Sequence, residues 1–172
     1  MAIAREQLSS VPEVIIRPMS EADVPAVVAV ERASYQFPWS EGIFRDCLRV
    51  GYVCRVAVVG EELIGYGVMS LVAGEAHILN LCVREEFRCR GIGRKLLDHL
   101  LDQGAAAGMS EAFLEVRPSN TAAIRLYQSF GFEQVGMRRG YYQATRGRED
   151  AAVLKLSLQD RPRRSSERSD RG

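Results

Sequence analysis

The sequence predicts a mixed α/β fold in which helices flank one twisted, largely antiparallel sheet. An apolar run at 78–83 and a segment of alternating residues at 111–117 indicate strands, and segments that carry apolar residues at helical spacing indicate helices. In the middle of the chain, a helical segment joins strand candidates at 78–84 and 111–117, and such a crossover makes two strands parallel neighbours. Pro118 follows the second strand, so we expect this central pair to splay apart at its C-terminal end.

The composition indicates a single folded domain. The 172 residues are 47% hydrophobic and 26% charged, as in ordinary globular proteins, and we predict the domain at 13–160. Residues 1–12 are expected to be flexible. Residues 161–172 hold five arginines and two acidic residues and are expected to form a disordered basic tail, solvated rather than bound to a specific nucleic acid.

Targeting signals and cysteine usage predict the compartment. No segment has the length of a membrane span or the pattern of a signal peptide, which predicts a cytoplasmic protein with no membrane partner. The four cysteines form no C-x-x-C pair, as is usual for a reduced protein. With only two histidines, a metal site is not expected.

The first half of the chain predicts a strand, two helices and a hairpin. In order, these are a strand from residue 14, a helix over about 20–33, a short helix after residue 40, and hairpin strands over 52–59 and 63–72. Ser20 and Asp23 have the spacing of a capping box for the first helix, and Ser40 can cap the second.

The second half predicts alternating strands and helices. In order, these are a strand over 78–84, a helix from about 92, a strand over 111–117, a helix over 121–130, and strands over 132–138 and 150–158. The helix from residue 92 buries leucines at helical spacing on one face. A polar loop over 139–149, which carries Tyr141 and Tyr142, is expected to join the last two strands.

The turn between the strand at 78–84 and the next helix has the chemistry of a phosphate site. Helix N-termini present unpaired N–H groups and partial positive charge, and Gly91 and Gly93 let those groups approach a ligand closely. A Walker A loop requires Gly-Lys-Ser/Thr, but Arg94 follows Gly93 here. Leu96 stands where a Rossmann fingerprint needs its third glycine. The turn therefore predicts a phosphate or pyrophosphate site of neither nucleotide class.

This turn resembles the Arg/Gln-x-x-Gly-x-Gly/Ala signature of the GNAT acetyltransferase superfamily. The segments LEVRPSN (114–120), AIRLYQSFGF (123–132), RRGYY (138–142) and FPWSE (37–41) together resemble the bacterial RimI-type ribosomal-protein-alanine N-acetyltransferases. The resemblance extends over most of the predicted domain, with the motifs in the same order. It implies the GNAT fold, with acetyl-CoA as co-substrate between the splayed strands.

The resemblance also implies roles on the donor side. The cofactor-binding residues that it implies are Leu81, Cys82, Val83, Arg88, Cys89, Arg90, Gly91, Ile92, Gly93, Arg94 and Asn120. Glu115 stands at the position of the general base, and Tyr127 at that of the general acid. A carboxylate can take a proton from an amine, and a phenol with a pKa of about 10 can protonate a thiolate whose pKa is about 8.5. From the residue pattern alone, Glu115 fits a solvated strand residue and Tyr127 a core tyrosine.

On the acceptor side, the resemblance implies two walls. Phe37, Pro38 and Trp39 would line a pocket for the first side chain of a peptide, and Tyr141 and Tyr142 would hold its backbone. From the residues alone, the first group could equally seal an edge of the core.

The function that the resemblance implies is acetylation of a protein N-terminus, with ribosomal protein S18 beginning with alanine as the partner. Gly140 before the tyrosines, and Gln143 where RimI sequences commonly have proline, depart from the pattern and predict a looser hairpin. Two alternatives stay open. One is a GNAT enzyme that acts on a lysine or a small-molecule amine, and the other is a non-catalytic acetyl-CoA-binding module. The presence of both Glu115 and Tyr127 disfavours the module.

Overall fold

The computed structural model describes residues 13–161, and the description below refers to that part of the chain. The predictions of a flexible segment at 1–12 and of a tail beyond residue 161 lie outside the described residues. Within 13–161, no helix is long and apolar enough to cross a membrane.

The described chain contains seven strands and four α-helices. They are β1 Val14–Pro18, α1 Val24–Ser34, α2 Glu41–Arg49, β2 Val53–Val59, β3 Glu62–Val72, β4 Glu75–Val83, α3 Ile92–Ala106, β5 Glu111–Val116, α4 Thr121–Ser129, β6 Glu133–Gln143 and β7 Arg148–Ser157. Short 3-10 turns at Glu21–Asp23 and Glu85–Phe87 precede α1 and α3. The predicted order of elements is confirmed.

Both predicted helix caps of the first half are present. The Ser20 N–H donates to Asp23 Oδ2 at 2.8 Å, as in a capping box, and Ser40 Oγ accepts from the Ile43 N–H at 3.3 Å. Asp23 also receives hydrogen bonds of 2.7 and 2.8 Å from the Arg17 guanidinium, which lower the pKa of its carboxyl to about 2. This ion pair ties the end of β1 to the start of α1.

All seven strands form one sheet, in the order β1-β2-β3-β4-β5-β7-β6. Its neighbouring strands are antiparallel except for β4 and β5, which are parallel and are joined by α3. The predicted mixed, largely antiparallel sheet with a central parallel pair is therefore confirmed.

The parallel pair is hydrogen-bonded along only part of its length. Pairing runs from Glu75 opposite Glu111 to Ile78 opposite Leu114 and stops there, although both strands continue. At the same point, a β-bulge leaves Leu79 as an extra residue of β4 against β3. Beyond it the two strands diverge, as predicted, and the backbone edges that they would have shared face an open gap.

Helices cover both faces of the sheet. Val56 and Ala57 are neighbours on β2, so their side chains point to opposite faces. Val56 packs in a cluster with residues of α1 and α2, whereas Ala57 packs against Leu96 of α3. Gly67 of β3 allows α3 to lie close, because a Cβ there would be 2.8 Å from Leu100 Cδ1. The sheet is thus the middle of three layers.

The prediction of a polar loop at 139–149 is wrong. Most of that segment is strand, since β6 continues to Gln143 and β7 begins at Arg148. Gly140, with a φ of +59°, sits at an irregularity in the β6–β7 register. Its N–H donates to Asp150 Oδ1 at 2.8 Å, and its carbonyl accepts from the Arg148 guanidinium at 3.0 Å. Polarity suggested a loop because β6 is an edge strand that meets solvent. These two bonds join Gly140 to β7, and the predicted looseness of the hairpin stays a prediction.

Arg161, the first residue of the predicted tail, is bound to α3. Its guanidinium lies 3.0 Å from Asp98 Oδ1 and 2.6 Å from Asp102 Oδ1, and its side chain is only 19% exposed. The last described residue is therefore packed against the domain.

Candidate active site

A cleft of about 940 Å³ opens where β4 and β5 separate. The predicted site residues that line it are Leu81, Glu115, Asn120, Tyr127, Phe37, Pro38, Trp39, Tyr141 and Tyr142. Those that do not line it are Cys82, Val83, Arg88, Cys89, Arg90, Gly91, Ile92, Gly93 and Arg94. Among residues 13–161, no three His, Cys, Asp or Glu side chains are grouped to hold a metal ion. The cleft thus brings together the two predicted catalytic groups and both predicted acceptor walls.

Glu115 lies on β5 immediately past the last residue that pairs with β4. Its strand neighbours Leu114 and Val116 are buried, so its carboxylate points to the opposite side and lines the cleft. The side chain is 11% exposed, and Oε1 lies 3.5 Å from Arg138 Nε. The carboxylate is shielded from bulk solvent but reachable by a molecule in the cleft.

The hydroxyl of Tyr127 opens into the same cleft. The ring is buried and packs against Phe132, with a centroid distance of 5.9 Å. Its oxygen makes no hydrogen bond to another described residue. Because no fully buried side-chain oxygen or nitrogen of residues 13–161 lacks a partner, this oxygen must be accessible. Burial of the side chain raises the pKa of Tyr127 to about 12, so the phenol is protonated at neutral pH.

The backbone of β4 turns hydrogen-bonding groups toward the gap. The Arg84 N–H donates to the Ile64 carbonyl of β3 at 2.8 Å, and in an antiparallel ladder alternate residues bond to the same neighbour. Cys82 therefore also bonds toward β3, while Leu81 and Val83 direct their N–H and carbonyl groups to the side that β5 has left. Since the Cys82 thiol is buried as well, a cofactor contact by Cys82 stays a prediction.

The two carbonyls on this edge of β4 accept hydrogen bonds from protein side chains. The Leu81 carbonyl accepts the Tyr35 hydroxyl at 3.1 Å, and the Val83 carbonyl accepts Arg88 Nε at 3.1 Å. The N–H groups of Leu81 and Val83 remain directed into the gap. They can donate to an extended ligand that lies along β4, in the way a further strand would.

The glycine turn before α3 lies at the end of this gap. Gly91 is the N-cap residue, with a φ of +79°, and Cys89 also has a positive φ of +62°. A Cβ at Gly93 would lie 3.8 Å from Val83 Cγ2 and 3.6 Å from Leu126 Cδ2 of α4. The unpaired N–H groups of the first turn of α3 therefore begin beside the last residue of β4.

The side chains of this turn are held from several directions. Ile92 is buried, so only its backbone can reach a ligand. The Arg90 guanidinium lies 5.4 Å from the centre of the Phe87 ring, and Arg94 donates to Ser129 Oγ at 2.7 Å. Both arginines are exposed and add positive charge around the helix start.

Asn120 has a structural contact in addition to its predicted one. Its Oδ1 accepts the Ala123 N–H at 3.2 Å and so caps α4, the helix that carries Tyr127. Asn120 also lines the cleft, and its amide nitrogen can still donate to a ligand.

The first acceptor wall is the connection between α1 and α2. Phe37 is 40% exposed, and Pro38 follows it along the cleft. Trp39 packs against Phe44 of α2, with ring centroids 5.3 Å apart. Its backbone N–H donates to Glu31 Oε1 at 3.0 Å. This wall both seals the core and presents an apolar surface to the cleft.

The second wall is the β6–β7 hairpin. Tyr141 and Tyr142 pack edge to face, with centroids 4.8 Å apart. The Arg117 guanidinium lies 4.4 Å from the centre of the Tyr142 ring and donates to Glu149 Oε2 at 3.1 Å. Arg138 lies 5.5 Å from the centre of the Tyr141 ring. Two arginines that lie inside the quoted motifs, but for which no role was predicted, therefore pack against both tyrosines.

The two walls touch each other. Gln36 Nε2 donates to Thr145 Oγ1 at 3.2 Å, which joins the α1–α2 connection to the β6–β7 turn. This hydrogen bond links the two walls at one point beside the cleft.

Sequence reasoning missed Glu31. The residue is 2% exposed, and its carboxylate accepts hydrogen bonds from Tyr66 Oη and, at 3.0 Å, from Asn80 Nδ2. The position of Glu31 in the helix could have indicated its burial, because Glu31 follows Val24 and Val28 at helical spacing on the buried side of α1. A carboxylate on such a stripe needs buried partners.

The chain is similar to proteins of one known family. The model of the acetyltransferase (GNAT) family matches residues 20–132. The ribosomal protein bS18-alanine N-acetyltransferase of Salmonella typhimurium is 36% identical over 140 residues, which cover 81% of this chain and 95% of that protein. The corresponding protein of Haemophilus ducreyi is 34% identical over 145 residues, with 84% and 100% covered.

Solved structures agree with the sequence comparison. The crystal structure of the ribosomal-protein-S18-alanine N-acetyltransferase from Escherichia coli matches with a TM-score of 0.80 at 35% identity and covers 85% of this chain and 94% of that one. The resemblance drawn from the motifs is thus confirmed. The chain belongs to the acetyltransferase (GNAT) family, as a relative of the ribosomal-protein-alanine N-acetyltransferases.

Proposed function

We propose that this protein transfers the acetyl group of acetyl-CoA to the N-terminal α-amine of a protein, and that its acceptor is the N-terminal alanine of ribosomal protein bS18. One observation carries the proposal. A single cleft at the separated ends of β4 and β5 holds a carboxylate and an accessible phenol between a strand edge and two linked walls. The names of relatives at 34–36% identity support the choice of acceptor.

The residues at the gap fit acetyl-CoA, which supplies an acetyl group activated as a thioester. The N–H groups of Leu81 and Val83 are directed to hold an extended arm along β4. The first turn of α3, opened by Gly91, is suited to a pyrophosphate, because helix N-termini bind anions and exposed arginines surround this one. Asn120 can add one amide donor.

Glu115 is the group that takes the acceptor proton. An N-terminal amine has a pKa of about 7.7–8.0, so a sizeable neutral fraction exists near neutral pH, whereas a lysine amine at about 10.4 is almost fully protonated. The carboxylate needs only to remove one proton as the amine attacks, directly or through one water. Its place in the cleft, shielded from bulk solvent, suits this task.

Tyr127 is the group that holds a proton at Oη for the departing sulfur, and this role predicts a pH profile. An acid works only while protonated, and because burial raises the pKa of Tyr127 to about 12, the proton is retained at every pH below that value. Turnover should rise as the acceptor amine loses its proton at a pH of about 8, and then stay level to about pH 10. Initial rates across this range would show it. A fall in kcat between about pH 8 and about pH 10 would argue against Tyr127 as the acid.

The linked walls support a chain terminus as the acceptor. The hydrogen bond from Gln36 to Thr145 joins the walls beside the cleft, and an amine at the end of a chain needs no room there for a residue that precedes it. Phe37 and Trp39 offer an apolar surface that suits the methyl group of alanine. No charged partner is required for that side chain.

The proposal is tested with peptides of the bS18 N-terminus that also contain a lysine. Acetyl-CoA is added with the free peptide or with the same peptide blocked at its N-terminus, and products are read by mass spectrometry with the acetylated position mapped. We expect acetylation of the free terminus alone. Acetylation of the lysine in the blocked peptide would refute the choice of acceptor. Binding of acetyl-CoA without CoA release for any amine tested would instead indicate a non-catalytic module.

A further inference from the structure

Tyr35 contributes a hydroxyl to the cleft that the chemistry above does not use. It is the C-cap residue of α1, and its backbone N–H donates to the Glu31 carbonyl at 3.0 Å. The residue is 39% exposed and lines the cleft. The end of a helix therefore fixes the backbone position of Tyr35.

The hydroxyl proton of Tyr35 already has an acceptor. Oη donates to the Leu81 carbonyl at 3.1 Å, so the oxygen is left with lone pairs that can accept a hydrogen bond. Burial of the hydroxyl raises the pKa of Tyr35, and the neighbouring Cys82 and Glu31 raise it further. The phenol therefore stays neutral and keeps this arrangement.

Tyr35 lines the same cleft as the groups that would carry the reaction, Glu115 and Tyr127. Its bonding partner Leu81 belongs to the β4 edge that faces the gap. A molecule that enters along the acceptor wall therefore meets a hydrogen-bond acceptor here. An amine in that place has N–H bonds to donate, and it must keep its lone pair free for the acyl carbon.

We propose that Tyr35 Oη accepts a hydrogen bond from the terminal amine of the acceptor and thereby aims the amine lone pair at the acyl group. The inference rests on the proposed acetyl transfer. Of the two N–H bonds of the neutral amine, one gives its proton to Glu115 and the other is held by Tyr35. The competing role for Tyr35 is mechanical, a fastening of α1 to β4 through Leu81 alone.

The variant Tyr35→Phe separates the two roles when binding is measured with two peptides. One peptide begins with alanine. The other carries a propionyl group in place of that alanine, which keeps the methyl group and removes only the amine. Calorimetry with saturating CoA gives both affinities without turnover. Tyr35→Phe should lower the affinity for the alanine peptide by about 5–10-fold, as for one lost hydrogen bond, and the affinity for the propionyl peptide by less than about 2-fold.

Tyr52→Phe is the matched control, because Tyr52 is exposed but does not line the cleft, and both affinities should be unchanged. If Tyr35→Phe lowered the affinity for both peptides equally, or also raised the KM for acetyl-CoA, Tyr35 would serve only to join α1 to β4. Either result would overturn the inference. An unaltered affinity for the alanine peptide would overturn it too. Failure of the proposed function is read separately, as absence of acetylated alanine peptide with the unsubstituted enzyme.

Discussion

Replacing Glu115 with glutamine should lower turnover by about 10²–10⁴ while leaving the KM for acetyl-CoA within about 2-fold. Glutamine keeps the shape of the side chain and its place beside Arg138, but it cannot take a proton from the amine. Steady-state rates of CoA release with an alanine-starting peptide measure the effect. Because only proton transfer is lost, the decrease should appear in kcat rather than in the binding of the donor.

Glu111→Gln is a matched control on the same strand. Glu111 lies on the same face of β5 as Glu115, but it pairs with Lys155 Nζ at 3.1 Å, at the end of the strand where β4 and β5 are still joined. Its loss should leave kcat unchanged. Full activity of Glu115→Gln would remove Glu115 from the mechanism. A loss of acetyl-CoA binding as large as the loss of kcat would indicate a distorted cleft instead.

The sheet and its divided centre could be predicted because their signals are local. The alternation across Glu111–Val116, the helical crossover of α3 and the proline at 118 are all read within one segment of chain. The predicted role of Glu115 could not be derived from its own segment. Its position in the strand pattern is that of any outward-facing residue, and only the resemblance to a family implied that it acts as a general base. The structure adds that Glu115 sits at the first unpaired position of the gap.

Contacts between distant segments could not be predicted from the sequence. The hydrogen bond from Tyr35 to the Leu81 carbonyl joins residues 46 positions apart, and that from Asn80 to the Glu31 carboxylate joins residues 49 positions apart. Both Asn80 and Leu81 follow the bulge at Leu79, which shifts the register of β4 against β3. A bulge has no sequence signature strong enough to locate it here, because no glycine marks it.

Glu31→Ala should lower the free energy of unfolding by about 3–5 kcal/mol. One carboxylate accepts three hydrogen bonds, from Tyr66 Oη, Asn80 Nδ2 and the Trp39 N–H. Tyr66 is fully buried, so its hydroxyl would lose its partner with little access to water. Alanine also leaves a void between α1 and the sheet, which adds to the loss.

Urea-induced unfolding of Glu31→Ala and of Glu21→Ala isolates the effect of burial. Glu21 also forms an ion pair, with Arg45, but its side chain is 68% exposed, so its removal should change stability by less than about 1 kcal/mol. Equal losses in the two variants would mean that water replaces the buried carboxylate without cost.

Glu31 also holds Trp39 of one acceptor wall and Asn80 beside the bulge of β4, through a hydrogen bond to each. The KM for the peptide should therefore rise in Glu31→Ala, because Glu31 holds two residues that line the cleft, and it should not in Glu21→Ala, because Glu21 does not line it.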